Sequence, residues 1–205
     1  MTPIRPKLVL LLTIVAALSL STVAYAATFS SAKVNSAFAE PSTADPSVVD
    51  LALGMRKTAS DVIDEANSAY AHSTCDGCRS VAIAFQVVIV QSSPSTVTPE
   101  NVALALNDGC TGCSSLAIAH QFVVGKGEPV RITSRGVEQL LDVGDDLLRL
   151  ERTYEDYTDA EIQARTDADA AKVRSILDTE LRPLHDGHKV PDVADDREVR
   201  RAPAA

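Results

Sequence analysis

The chain has 205 residues, with 19 Lys or Arg against 28 Asp or Glu, a formal charge of -9, no Trp and only 4% aromatic residues. That balance argues against nucleic acid and anionic lipid headgroups as partners, because their affinity comes largely from Lys and Arg displacing counterions. It also leaves few of the large anchors that dominate sugar-binding faces and protein hot spots, so the core has to be built from Ala, Val, Ile and Leu.

Residues 1–26 read as a signal peptide. Arg5 and Lys7 precede the apolar run Leu8 to Leu20, and Ala24-Tyr25-Ala26 presents small residues where a signal peptidase requires them, which predicts cleavage after Ala26. The apolar run is shorter than the roughly 20 residues of a bilayer span, although its continuation through Val23 to Ala27 leaves an uncleaved N-terminal anchor open. Cleavage removes Arg5 and Lys7 and no acids, taking the charge from -9 to -11. No later segment reads as a transmembrane span, and an exported chain meets conditions in which cysteines oxidise and stay oxidised.

Residues 27–47, rich in Ser, Ala and Thr, read as a flexible leader. A domain over 48–133 follows. In its first segment Val49, Leu51, Leu53 and Met55 alternate with small or charged residues, the period of a strand, whereas Asp61 to Ala66 is ambiguous between helix and strand. A duplication dominates the rest. Cys75-Asp-Gly-Cys78-Arg-Ser-Val-Ala-Ile-Ala-Phe-Gln86 is echoed by Cys110-Thr-Gly-Cys113-Ser-Ser-Leu-Ala-Ile-Ala-His-Gln121, and all four cysteines lie in the two copies. With one gap the likeness extends upstream, where Asn67, Ala69 and Ala71 match Asn101, Ala103 and Ala105. Downstream, Ala82, Ala84, Gln86 and Val88 match Ala117, Ala119, Gln121 and Val123. Agreement at every second residue indicates one side of a strand held fixed. Each copy is therefore expected to be a β-hairpin turning at Cys-x-Gly-Cys, with Gly77 and Gly112 supplying positive φ. The rival reading is helical, since Thr98-Pro99-Glu100 is a good helix start before Val102 to Leu106.

Over 134–182 the pattern becomes helical. Ser134 is expected to cap a helix with Val137, Leu140, Leu141, Gly144, Leu147, Leu148 and Glu151 on one side and Asp142, Asp145 and Arg149 on the other. Thr158 and Glu161 form a capping-box pattern before a second helix with Ile162, Val173, Ile176, Leu177 and Leu181 as its apolar positions. An antiparallel helical hairpin docked on the sheet or on another subunit is expected, with one extended solvated arm as the alternative. From Pro183 to the end, residues 183–205 are polar, charged and proline-containing, and are expected to be disordered. The fold class that follows is α+β: a duplicated β-hairpin unit in a small antiparallel sheet, then two amphipathic helices.

Three chemistries are open to the cysteines. Structural disulfides fit export and an even count. In a meander the two turns would lie about 9.6 Å apart, beyond the roughly 7 Å that a disulfide tolerates, so pairing within each motif, Cys75 with Cys78 and Cys110 with Cys113, is the easier solution. A zinc site formed by Cys75, Cys78, Cys110 and Cys113 is the metal alternative, at a spacing longer than a usual ribbon. Dithiol redox catalysis is the third, although the residues between the motifs are too few for a thioredoxin-like parallel sheet with crossover helices.

Nothing else reads as catalytic. Of the histidines His72, His120, His185 and His188, His120 takes the slot that Phe85 fills in the first copy, which indicates packing. His-Glu-x-x-His and Gly-x-Ser-x-Gly are missing from the sequence, and the acids at Gly144-Asp145-Asp146 and Asp195-Asp196 lack the spacing of a calcium loop.

The repeated pattern Asn-x-Ala-x-Ala, Cys-x-x-Cys, Ala-x-Ala-x-Gln-x-Val, followed by an acidic helical tail, resembles a region of exported actinobacterial proteins, some labelled peptide zinc metalloproteases. The likeness spans about residues 48 to 150, through Asn67, Cys75, Cys78, Ala82, Ala84 and Gln86 and their counterparts Asn101, Cys110, Cys113, Ala117, Ala119 and Gln121. It implies export and is almost silent as to activity, and the protease label is not carried over because the metalloprotease helix motif is missing here. The expected function is that of a secreted, non-enzymatic structural or interaction module of the cell envelope or extracellular space, without a cofactor. Its partner would be a protein or an envelope component, with self-association also open. An extracytoplasmic thiol–disulfide oxidoreductase and a structural zinc protein are the alternatives.

Overall fold

The computed structural model describes residues 29–125, 128–184 and 194–201; the signal peptide expected over 1–26 therefore lies outside the described residues. Strands β1 (Val34–Ala39), β2 (Ser47–Thr58), β3 (Val62–Ile63), β4 (Ala66–Ser73), β5 (Arg79–Val90), β6 (Thr96–Val97), β7 (Glu100–Asn107), β8 (Ser114–Val124) and β9 (Val130–Ile132) precede helices α1 (Ser134–Arg152) and α2 (Asp159–Glu180). Strands β10 (Leu181–Pro183) and β11 (Ala194–Arg201) complete the described chain. The first eight strands wind as a parallel β-solenoid. β1, β4 and β7 stack as one parallel sheet, β2, β5 and β8 as a second, and β3 and β6 as a third. The duplicated motifs lie directly over one another: Arg79 pairs with Ser114, Ala82 with Ala117 and Gln86 with Gln121.

This corrects the expected antiparallel hairpins. Each Cys-x-Gly-Cys segment is a corner between two sheets, and the strands it joins do not pair with each other. Alternation along one strand is the same in both arrangements, so it shows which side is buried and leaves the pairing direction undetermined. The fixed side is the lumen. Ala37, Ala39, Ala69, Ala71 and Ala103 from the first sheet meet Ala82, Ala84, Ala117 and Ala119 from the second in an alanine core. Only side chains of that size let the two backbones approach so closely, which accounts for the repetition of alanine from rung to rung.

Polar ladders close both ends of the alanine layer. The Asn35 side-chain amide donates to Asn67 Oδ1 at 2.8 Å, and that of Asn67 to Asn101 Oδ1 at 2.8 Å. Beside them, Gln121 Nε2 donates to Gln86 Oε1 at 2.8 Å. At the other corner the hydroxyls of Ser73, Ser80 and Ser115 are mutually bonded. Identical side chains one strand apart can satisfy each other in this way, as in other in-register parallel stacks.

The opposite face of β2, β5 and β8 carries Leu53, Val81, Ile83, Phe85, Val87, Leu116, Ile118 and Phe122, which share one core with α1 and α2. The helices form the expected hairpin over this sheet, with Leu140, Leu147, Ile162, Val173, Ile176, Leu177 and Leu181 buried. The Thr158–Glu161 capping box is present. The cap of α1 is Thr133 and not Ser134, because the Thr133 hydroxyl accepts the Gly136 N–H.

Two further expectations change. The leader expected over 27–47 contains β1, whose Asn35, Ala37 and Ala39 line the first rung, and the tail from Pro183 carries β11, which pairs antiparallel with β8 from Ala194–Val123 to Arg201–Leu116. The ambiguous stretch 61–66 holds β3 and the start of β4, and Val102 to Leu106 is strand.

Candidate functional site

Cys75 and Cys78 are joined as a disulfide with Cα atoms 5.4 Å apart, and Cys110 and Cys113 likewise at 6.0 Å. Gly77 and Gly112 have φ of +68° and +66°, the left-handed conformation these corners need. The corners stack through hydrogen bonds from Gly77 N to the Thr111 carbonyl at 2.9 Å and from Ser114 N to the Cys78 carbonyl at 2.9 Å. Cys78, Cys110 and Cys113 are buried and Cys75 is half-buried. A thiolate-stabilising helix N-terminus is not part of either corner, since each leads into a strand. The arrangement closes two rungs. Among the described residues, no group of three or more His, Cys, Asp or Glu side chains is arranged to hold a metal ion.

Directly after Cys78, Arg79 ties this edge of the solenoid to the link between the helices. Its guanidinium donates to Asp159 Oδ1 at 2.8 Å, to the Tyr157 carbonyl at 2.8 Å and to the Tyr154 carbonyl at 3.3 Å. Tyr154 hydroxyl in turn donates to Ser47 Oγ at 2.9 Å. The cysteine corner thus positions the group that locks the hairpin bend in place.

Of the histidines, His120 is buried with its ring centroid 4.7 Å from that of Phe85, its register partner, and with Nε2 3.7 Å from Asp167. His72 lies 3.3 Å from Glu40 beside Tyr70, and His185 and His188 lie outside the described residues. Asp146 is occupied by Lys172 and Arg149, which hold its carboxyl below the usual range, Lys172 contributing most. Asp195 and Asp196 are in β11, paired with Phe122 and Gln121.

Most of the exposed large hydrophobic side chains among the described residues stand on the outward face of β1, β4 and β7. Val34, Phe38, Val102, Leu104 and Leu106 stand there, with Phe38 53% and Val102 51% exposed. Phe38, Tyr70 and Leu104 are register partners in one row. The rings of Phe38 and Tyr70 stack at 4.9 Å with 8° between planes. A face of each ring is therefore spent on its neighbour, an arrangement that favours packing against an apolar surface over stacking on a sugar. Sequence reasoning missed this face because it took residues 27–47 as leader. A signal was present: Asn35-Ser-Ala37-Phe-Ala39 is a third copy of the Asn-x-Ala-x-Ala pattern, in a rung that lacks cysteines.

Compared with known proteins, the chain matches no family model, no curated protein and no solved structure.

Proposed function

We propose that this chain is an exported, non-enzymatic structural or interaction module of the cell envelope or extracellular space, and that it meets a protein partner through the outward face of β1, β4 and β7. The observation that carries the reading is the row Phe38, Tyr70, Leu104 with Val34, Val102 and Leu106 around it, an exposed apolar surface on a sheet whose inner side is locked by alanine packing and an asparagine ladder. Contiguous apolar surface of this kind on a rigid scaffold marks contact sites. Exposed Glu40 and Glu100 stand at its margins on a chain of net charge -9, so the complementary partner is a flat apolar protein surface with a basic rim. The expected export signal and the resemblance to exported actinobacterial proteins support this compartment. The disulfides act as corner staples in this reading. A zinc protein or a thiol–disulfide enzyme would instead need those bonds open, and the half-buried Cys75 is the sulfur an enzyme would have to use.

A photo-reactive residue at position 104 tests the proposal in cells exporting the full chain, with position 138 on the helix side as control. The expected result is a cross-link to a discrete protein from position 104 alone, abolished by Phe38→Lys. Equal cross-linking from both positions, or persistence of the product in the Phe38→Lys variant, contradicts it.

A further inference from the structure

Between α1, the link that follows it and α2 lies a cavity of about 240 Å³. It is built by the helical hairpin alone and shares no residue with the apolar face of β1, β4 and β7 or with the cysteine corners. Its volume is a little under the roughly 300 Å³ at which drug-sized sites begin, a size that suits a small molecule. Leu150 and Ala168 give it an apolar wall, and the rest of its chemistry is set by charge.

The acids of the cavity are already occupied. Lys172 Nζ donates to Asp169 Oδ1 at 2.8 Å and to Asp146 Oδ2 at 2.9 Å, and Arg149 Nη1 donates to Asp146 Oδ1 at 3.1 Å. Held by Asp169 and then Asp146, Lys172 keeps its proton more firmly than an ordinary lysine. Arg165 is left over. Among the described residues it makes no ion pair or hydrogen bond; its guanidinium lies over the Tyr157 ring, 4.0 Å from the centroid, and Asp169 and Glu161 act on it only from a distance. Glu161 is itself engaged by Thr158 in the capping box.

The lining therefore holds one more cation than acid, on a chain whose net charge is -9, and its unspent hydrogen-bonding groups are chiefly guanidinium donors. Tyr157, on which Arg165 rests, is fixed in advance, because its N–H donates to the Tyr154 carbonyl at 3.2 Å and its own carbonyl accepts from Arg79 at 2.8 Å. A guanidinium placed in this way matches the two oxygens of a carboxylate. The surplus of a single charge selects a monoanion, since a doubly charged phosphate would set excess negative charge beside Asp146 and Asp169.

We infer that this cavity binds a small organic monocarboxylate, its carboxylate held by Arg165 with the unspent nitrogens of Arg149, and its apolar body against Leu150 and Ala168.

The experiment is a nuclear magnetic resonance titration of the labelled, mature, oxidised chain at pH 7 with benzoate, with benzyl alcohol and inorganic phosphate as comparisons. Benzoate is expected to shift the Arg165 Nε–H and Leu150 methyl resonances and to saturate at a Kd of roughly 1 mM. Benzyl alcohol and phosphate should bind at least about fivefold more weakly, and Arg165→Gln should weaken benzoate by about tenfold. Arg165 is exposed and outside the core, so the variant is expected to fold; if it does not, Arg149→Gln is measured, with a loss of at least about threefold expected. No saturable shift with benzoate overturns the inference, as does equal binding of benzyl alcohol or phosphate, or unchanged affinity in the folded variant.

Discussion

Replacing Asn67 by Ala removes the middle of the asparagine ladder. Its side-chain amide donates to Asn101 Oδ1 at 2.8 Å, to the His120 carbonyl at 3.1 Å and to the Ala84 carbonyl at 3.3 Å, while its Oδ1 accepts from Asn35 at 2.8 Å. Each such bond contributes about 1 kcal/mol net, and a buried polar atom left without its partner costs about 1–3 kcal/mol. Asn35 keeps the Ala52 and Phe85 carbonyls as acceptors, so the atom chiefly affected is Asn101 Oδ1, which loses its Asn67 donor and is only partly buried. The expected loss is about 3–5 kcal/mol, a large part of a typical domain's 5–15 kcal/mol. Asn101→Ala, at the end of the ladder, should cost about 1–2 kcal/mol. Urea unfolding followed by far-ultraviolet circular dichroism, with the disulfides intact, measures both. A loss below about 1 kcal/mol for Asn67→Ala, or an end substitution as costly as the central one, would refute the reasoning.

Three further expectations rest on other parts of the structure. Ala84→Leu overpacks the alanine layer and should cost about 1–3 kcal/mol or more, whereas Ala66→Leu, on the outward face, should change urea stability by no more than about 0.5 kcal/mol. Arg79→Ala should destabilise by about 2–4 kcal/mol and expose the link around residues 153–158 to limited proteolysis, and Arg79→Lys should rescue only part of this because it lacks the planar fork. Glu65 is buried against Arg56, and its carboxyl lies above the ordinary value of 4.5 chiefly because of burial, with Arg56 and Lys33 opposing. For a carboxyl raised in the folded state, the folded chain holds the proton more tightly, so stability falls as pH rises from 4.5 through the raised value. Glu65→Gln should therefore be the more stable form at pH 8 and lose that advantage on acidification, as thermal melts across this range would show.

The parts of the fold legible in the sequence are those governed by local rules. The positive φ of Gly77 and Gly112 follows from turn chemistry, and the capping box from Thr158 and Glu161. The buried positions of α2 follow from helical spacing, and the fit of His120 into the slot of Phe85 follows from its place in the repeat. Pairing direction was not legible, because hairpin and solenoid place the same residues on the same side of each strand. The information lay between rungs: side chains that recur unchanged at Asn35, Asn67 and Asn101, and at Gln86 and Gln121, do so because each bonds to its own copy one strand away. The outward face stayed hidden for a related reason. Phe38, Tyr70 and Leu104 are far apart in sequence and dissimilar enough to escape a search for repeats, and only the register brings them into one row.

The most direct test of an exported, oxidised module with each bond closed within its own corner is the intact mass of the secreted protein under denaturing, non-reducing conditions with thiol alkylation, followed by disulfide mapping. The expected product begins at Ala27, takes up no alkylating reagent, and yields Cys75–Cys78 and Cys110–Cys113 peptides. Free thiols in the exported chain, or bonds running between the two motifs, would contradict it.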